Sequence, residues 1–118
     1  MPNRSAGRDT VAHVFTLIVR FDLPDASAAA RFDELTAAAV PLIRSAREPG
    51  TLTYQPYAVD GEPLARIFYE VYRDRAAHAD HEAQPHTVDF LAAVRAIVTS
   101  IRVEACAEVE PDDQTVTA

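Results

Sequence analysis

The chain predicts an α+β domain with the element order β-α-β-β-α-β, the ferredoxin-like arrangement of a four-stranded antiparallel sheet with helices on one face. Three observations carry this. Period-two alternation recurs in four separate runs, and apolar residues recur at helical spacing between the first and second runs and between the third and fourth. Turn and capping residues mark the boundaries. At 118 residues the chain makes one domain, able to bury roughly two thirds of its unfolded surface. That domain is expected over residues 10–110, with 1–9 and 111–118 as flexible tails.

The first strand runs from Val11 to Phe21, with Val11, His13, Phe15, Leu17, Val19 and Phe21 on one face and Ala12, Val14, Thr16 and Ile18 on the other. Both faces are largely apolar, so both need cover: helices on one side, a second copy of the chain on the other. Leu23-Pro24-Asp25 turns into a helix with Asp25 as N-cap. Its apolar stripe is Phe32, Leu35, Ala39, Leu42 and Ile43; Pro41 is expected to kink it or end its regular part. Glu48-Pro49-Gly50 stops it. Thr51 to Val59 alternates as a second strand, and Pro56 places it at a sheet edge or a bulge. Asp60-Gly61 signals a hairpin, with a loop longer than two residues reaching Leu64. In the third strand, Arg66 to Tyr72, Ile67, Tyr69 and Val71 share one face and Phe68, Glu70 and Tyr72 the other. Asp74 caps a short helix to about Ala83, and Pro85 opens a further helix bearing Phe90, Leu91, Val94, Ile97 and Val98. Arg102 to Val109 makes the fourth strand.

A net charge of −7 argues against nucleic acid and against anionic membrane surfaces as partners. The chain has no Lys, which excludes a Schiff-base lysine. Cys106 is the only cysteine, so neither an internal disulfide nor a cysteine zinc cluster is available, and it is expected to pack as a small apolar residue. Gly7, Gly50 and Gly61 lie too far apart to build a dinucleotide or phosphate loop. The longest apolar run, Val14 to Val19, is too short to span a bilayer, so the expected location is cytoplasmic.

Three of the four His and all four Tyr fall between Glu48 and Phe90, around one hairpin and the helix after it. That concentration points to a pocket for a small aromatic or hydrophobic molecule. His78 and His81, with Glu82, have the spacing of a metal site, but such a set on a short helix is ordinarily solvated, and no metal is expected. Glu70 lies mid-strand among apolar residues, where an unpaired carboxylate is costly; pairing with Arg66, with Arg73 or across a dimer is expected.

The Glu48-Pro49-Gly50 lead into the Tyr54 strand resembles the antibiotic biosynthesis monooxygenase superfamily. So do the Tyr69-Glu70-Val71-Tyr72 strand, its acidic cap and the His81 and His86 spacing. The likeness runs from about Val11 to Val109. It implies a dimeric α+β barrel whose ligand sits between helices and sheet of each subunit. Members include cofactor-free monooxygenases acting on quinols and anthrones, haem-degrading proteins and an isomerase of a phosphorylated signal. Tyr72 stands where haem-degrading members and many quinol-oxygenase relatives carry Trp, and neither Phe90 nor Leu91 supplies the proximal His of haem-degrading members.

The resemblance therefore implies a cofactor-independent monooxygenase that deprotonates an aromatic quinol or anthrone-like substrate for direct reaction with O₂. Such chemistry needs a base that titrates near neutrality and a dry aromatic pocket. His81 and His86 are the candidate catalytic bases; His13, Tyr54, Phe68, Tyr69, Tyr72 and Phe90 are the candidate substrate-binding residues. Five residues apart, His81 and His86 would not share a face of one helix, and the break at Pro85 is what could re-aim His86. Tyr69 and Tyr72 point to opposite faces, so at most one of them lines a given cavity. Two other readings of the same residues stand beside this one: a non-catalytic dimeric binding module for a hydrophobic metabolite, and an isomerase.

Overall fold

The computed structural model describes residues 13–109. The elements are β1 Phe15–Asp22, α1 Ala26–Ile43, β2 Thr51–Val59, β3 Glu62–Tyr72, α2 Arg75–Ala83, α3 Pro85–Arg95 and β4 Ser100–Cys106. The strands form one antiparallel sheet in the order β2-β3-β1-β4. This is the predicted ferredoxin-like order, with the second helical segment broken in two before Pro85. Val11 and Ala12, assigned above to the first strand, and the segments assigned as tails lie outside the described residues.

The caps form as their side chains require. Asp25 accepts from the Ala28 N–H, and Asp74 from the Ala77 N–H, each at 2.8 Å. Pro41 falls in the last turn of α1, so its missing N–H removes one bond from a helix that is already ending at Ile43. The Arg44 guanidinium then reaches the Tyr54 carbonyl at 2.7 and 3.0 Å, tying the end of α1 to β2.

Alternation in the strands decides the faces. Leu17, Val19 and Phe21 of β1 and Phe68 of β3 turn toward the helices and are buried. Phe21, Phe32 and Phe68 meet as an aromatic core, with ring centroids 4.8–5.7 Å apart. Phe90 of α3 stacks on Phe68 at 6.2 Å.

Three local expectations are corrected. The β2–β3 turn is only two residues long: Val59 pairs with Glu62, and Gly61 takes φ 77°. The extra residues expected in the turn lie instead inside β3, and β2 is the sheet edge that Pro56 called for. Pro63 to Ala65 bulge out of the β2 ladder, where Pro63 has no N–H to lose. β4 starts two residues before and ends three residues before the expected bounds. Among the described residues it is an edge strand paired only to β1, and its ladder stops at Thr16 opposite Cys106. Cys106 is consequently exposed, not packed.

Gly50 is where chain meets chain. A Cβ added there would lie 2.5 Å from the Ala77 Cβ of α2, and the Gly50 carbonyl accepts the Arg73 N–H at 2.8 Å. Only a residue without a Cβ lets α2 approach the loop this closely. Gly50→Ala is expected to cost roughly 1–3 kcal/mol by pushing α2 away. Urea denaturation measures this, and an unchanged midpoint would contradict the close packing.

Candidate active site

The site grows from the loop between α1 and β2. Glu48 lies in this loop with a side chain only 1 % exposed. Its Oε1 accepts from the Thr51 hydroxyl and from His81 Nδ1, both at 2.7 Å, and its Oε2 meets His86 Nε2 in a short contact. His81 comes from α2 and His86 from the first turn of α3. The Pro85 break re-aims His86, so two histidines that could not share a helix face converge on one carboxylate. Neither is a solvated residue: their side chains are 5 % and 8 % exposed.

A buried carboxylate facing His81 Nδ1 requires the proton there, which leaves Nε2 with the lone pair. Burial lowers the His81 pKa below the usual histidine value, against the opposing hydrogen bond and charge of Glu48. Burial thus favours the neutral ring. It lies between Tyr54 and Tyr72, 5.4 and 5.3 Å from their centroids.

His81 lines a cavity of about 310 Å³ between the sheet and the helices. Tyr54, Leu17, Val19 and Phe21 help form its floor; His78, Glu82, Leu91 and Arg95 belong to the helical side. Ile101, Val103 and Ala105 of β4 close the edge, and Val103 is still 56 % exposed. Glu70 also faces this space. Its pairing was expected with Arg66, Arg73 or a partner; its actual partner is the Tyr72 hydroxyl, which donates to Oε1 at 2.6 Å. Arg66 pairs with Asp33 of α1 and Arg73 with Asp74. Burial raises the Glu70 carboxyl to about 7, although the Tyr72 hydrogen bond pulls the other way. Burial and the Glu70 charge push the Tyr72 phenol far above its ordinary range.

The remaining candidates separate by position. Tyr54 lines the cavity beside His81. Tyr72 and Phe68 are fully buried beneath it. His86 and Phe90 line a second, apolar groove between α1 and α3. Tyr69 is 39 % exposed on the helix-free face, and His13 is exposed ahead of β1; neither borders the cavity. Sequence reasoning missed Glu48, which it read as a helix stop. Its partners lie 33 and 38 residues away, a separation with no local period to reveal it. Among the described residues no group of three His, Cys, Asp or Glu side chains could hold a metal ion.

A four-stranded antiparallel sheet with helices on one face and a cavity between them places the chain among the ferredoxin-like α+β proteins. Within that class, the chain belongs to the antibiotic biosynthesis monooxygenase family, whose model matches residues 14–95. No curated protein sequence matches the chain significantly. Similar solved structures include a Pseudomonas aeruginosa protein, 20 % identical with TM-score 0.76, covering 85 % of this chain and 98 % of its own. A Mycobacterium tuberculosis protein is 26 % identical with TM-score 0.74, covering 82 % and 96 %. A mutant of SnoaB, a cofactor-independent oxygenase from Streptomyces nogalater, is 20 % identical with TM-score 0.70, covering 86 % and 98 %. The family gives the chain a monooxygenase-type scaffold, and the neighbours share its fold.

Glu70 makes stability depend on pH. Below the unfolded-state value of 4.5 the carboxyl is protonated in both states and burial carries no penalty. Between there and about 7 the folded state binds the extra proton, so stability falls as pH rises, and above 7 the loss is constant at about 3 kcal/mol. Glu70→Gln keeps an acceptor for Tyr72 and no charge. Thermal melts should show it close to the parent at pH 4 and more stable at pH 8. Parallel curves across that range would refute the assignment.

Proposed function

We propose that the chain is a cofactor-independent monooxygenase acting on a small aromatic quinol or anthrone-like substrate, with His81 as its base. The observation that supports this most is His81 itself: Nδ1 is held by Glu48, and the ring borders a largely apolar cavity, with Nε2 unpartnered among the described residues. A flat substrate between Tyr54 and the β1 floor would present its acidic proton to Nε2. Glu48 would stabilise the resulting imidazolium through Nδ1–H, and the dry walls would strengthen that interaction.

The deprotonated substrate is electron-rich enough to reduce O₂ directly. A carbon–oxygen bond forms, and protonation gives a hydroperoxide. Loss of water with cleavage of the O–O bond then leaves a carbonyl. For a CH₂ centre, one O₂ is consumed, one oxygen enters the product and the other leaves as water. Glu70, buried on the same cavity and titrating near neutrality, is suited to return the proton to the peroxide.

We also propose a homodimer through the helix-free face of the sheet. Ile67 and Tyr69 of β3 and Ile18 of β1 share that face, and Tyr69 is a large apolar side chain left exposed there.

The test is O₂ uptake by purified protein with a panel of quinols and anthrones, without added flavin or metal. Uptake is expected, and His81→Ala should lower it by about 100-fold or more. The rate in the parent should rise with pH through a pKa below the ordinary histidine value. No uptake across the panel, with tight binding of one compound, would replace the oxygenase reading with that of a binding module.

A further inference from the structure

Glu48 joins two histidines that face different spaces. His81 borders the cavity between sheet and helices. His86 borders the groove of about 360 Å³ between α1 and α3, among Leu35, Leu42 and Phe90. Each ring commits one nitrogen to the same carboxylate, His81 Nδ1 to Oε1 and His86 Nε2 to Oε2. The other nitrogens, His81 Nε2 and His86 Nδ1, have no hydrogen-bond partner among the described residues. Yet Thr36 Oγ1 is the one sealed side-chain polar atom left without a partner among those residues. Both outer nitrogens therefore retain contact with open space, one on each side of Glu48.

The charge count of this set is constrained. The Thr51 hydroxyl and the two imidazoles are the only side chains hydrogen-bonded to the Glu48 carboxylate among the described residues. Arg47, Arg73 and Asp80 border a neighbouring recess without bonding to it. On the cavity side His81 is faced by His78 and Glu82 of α2, Glu70 of β3, Arg95 of α3 and the Tyr54 and Tyr72 phenols. On the groove side the charged neighbour of His86 is Asp89. One imidazolium balances a buried carboxylate. Two leave an uncompensated positive charge, and none leaves a negative one.

We infer that His81, Glu48 and His86 hold one imidazolium between them and move protons from the cavity to the groove by exchanging which ring carries it. In one of its two states the imidazolium is His86, with Nε2–H on Glu48 and Nδ1–H toward the groove, and His81 is neutral. When His81 Nε2 takes a proton from the cavity, Glu48 turns its charge to the new imidazolium. His86 then releases its Nδ1 proton to water in the groove and stays neutral, with Nε2–H still on Oε2. One proton enters, one leaves, and the buried charge is unchanged. The use of this exchange in turnover rests on His81 being the base proposed above; the exchange itself does not.

Nitrogen-detected NMR titration of the imidazoles in ligand-free protein tests it directly. In the parent, His81 and His86 should each titrate in two steps at shared pH values. In His86→Gln, His81 should titrate as a single group with its pKa raised by about one unit or more, because no second ring competes for Glu48. Independent one-step curves in the parent, or a His81 curve unmoved by His86→Gln, overturn the inference, and the parent curves decide even if the variant fails to fold. With a substrate that turns over, His86→Ala should lower kcat about tenfold or more at unchanged KM, and imidazole entering the groove should restore it. A loss that imidazole does not restore overturns the transfer role while leaving His81 as base. A parent enzyme that consumes no O₂ removes the oxygenase reading and leaves the titration standing as the test.

Discussion

One buried carboxylate organises the site. Glu48 sits in a loop, where side chains are ordinarily solvated, yet three side-chain donors from three later elements converge on it. Removing a carboxylate from water is costly unless hydrogen bonds replace its hydration. Thr51, His81 and His86 are that replacement, and satisfying Glu48 sets the relative position of β2, α2 and α3. The contact that makes the loop affordable to bury is thus also the one that orients the candidate base.

The backbone around Glu48 is arranged to permit this. Arg44 ties the end of α1 to the Tyr54 carbonyl, and the Gly50 carbonyl accepts the Arg73 N–H at the entry to α2. Without a Cβ at Gly50, α2 lies close enough for His81 to reach across to the loop. The break before Pro85 then gives His86 an approach direction of its own. Packing, backbone hydrogen bonding and side-chain electrostatics meet within a few residues. That concentration is what holds two ring nitrogens against one carboxylate.

Glu70 has the opposite character. Its only hydrogen-bonding side chain among the described residues is the Tyr72 hydroxyl, and burial raises its pKa to about 7. Glu48 is surrounded by donors and holds His81 in place; Glu70 is underserved, and burial raises its carboxyl to about 7. Two carboxylates near one cavity are thus separated in role by the number of donors each receives.

Much of the fold was legible in the chain. Strand alternation assigned the faces of β1 and β3 correctly, Asp25 and Asp74 were visible as caps, and Pro85 marked the helix break. These features are local: each depends on a residue and its neighbours within a turn or a pleat. The clustering of aromatic and imidazole residues along one stretch of chain was also readable; that His81 and His86 border two different spaces was not. Glu48 was not recognisable as their shared acceptor, nor Tyr72 as the partner of Glu70, nor β4 as a cavity wall. The Glu48 contacts and the β4 wall depend on how α1, α2 and α3 stack on the sheet, and side-chain pairing over 33 or 38 residues leaves no periodic trace; Tyr72 and Glu70 share a face two residues apart on β3, and only rotamer choice decides that they bond. The sequence by itself determined the elements and their order, because propensity, capping and alternation act along the chain. The tertiary structure alone decided which groups hydrogen-bond to one another in the site, because burial and hydrogen-bond geometry exist only once the elements are packed.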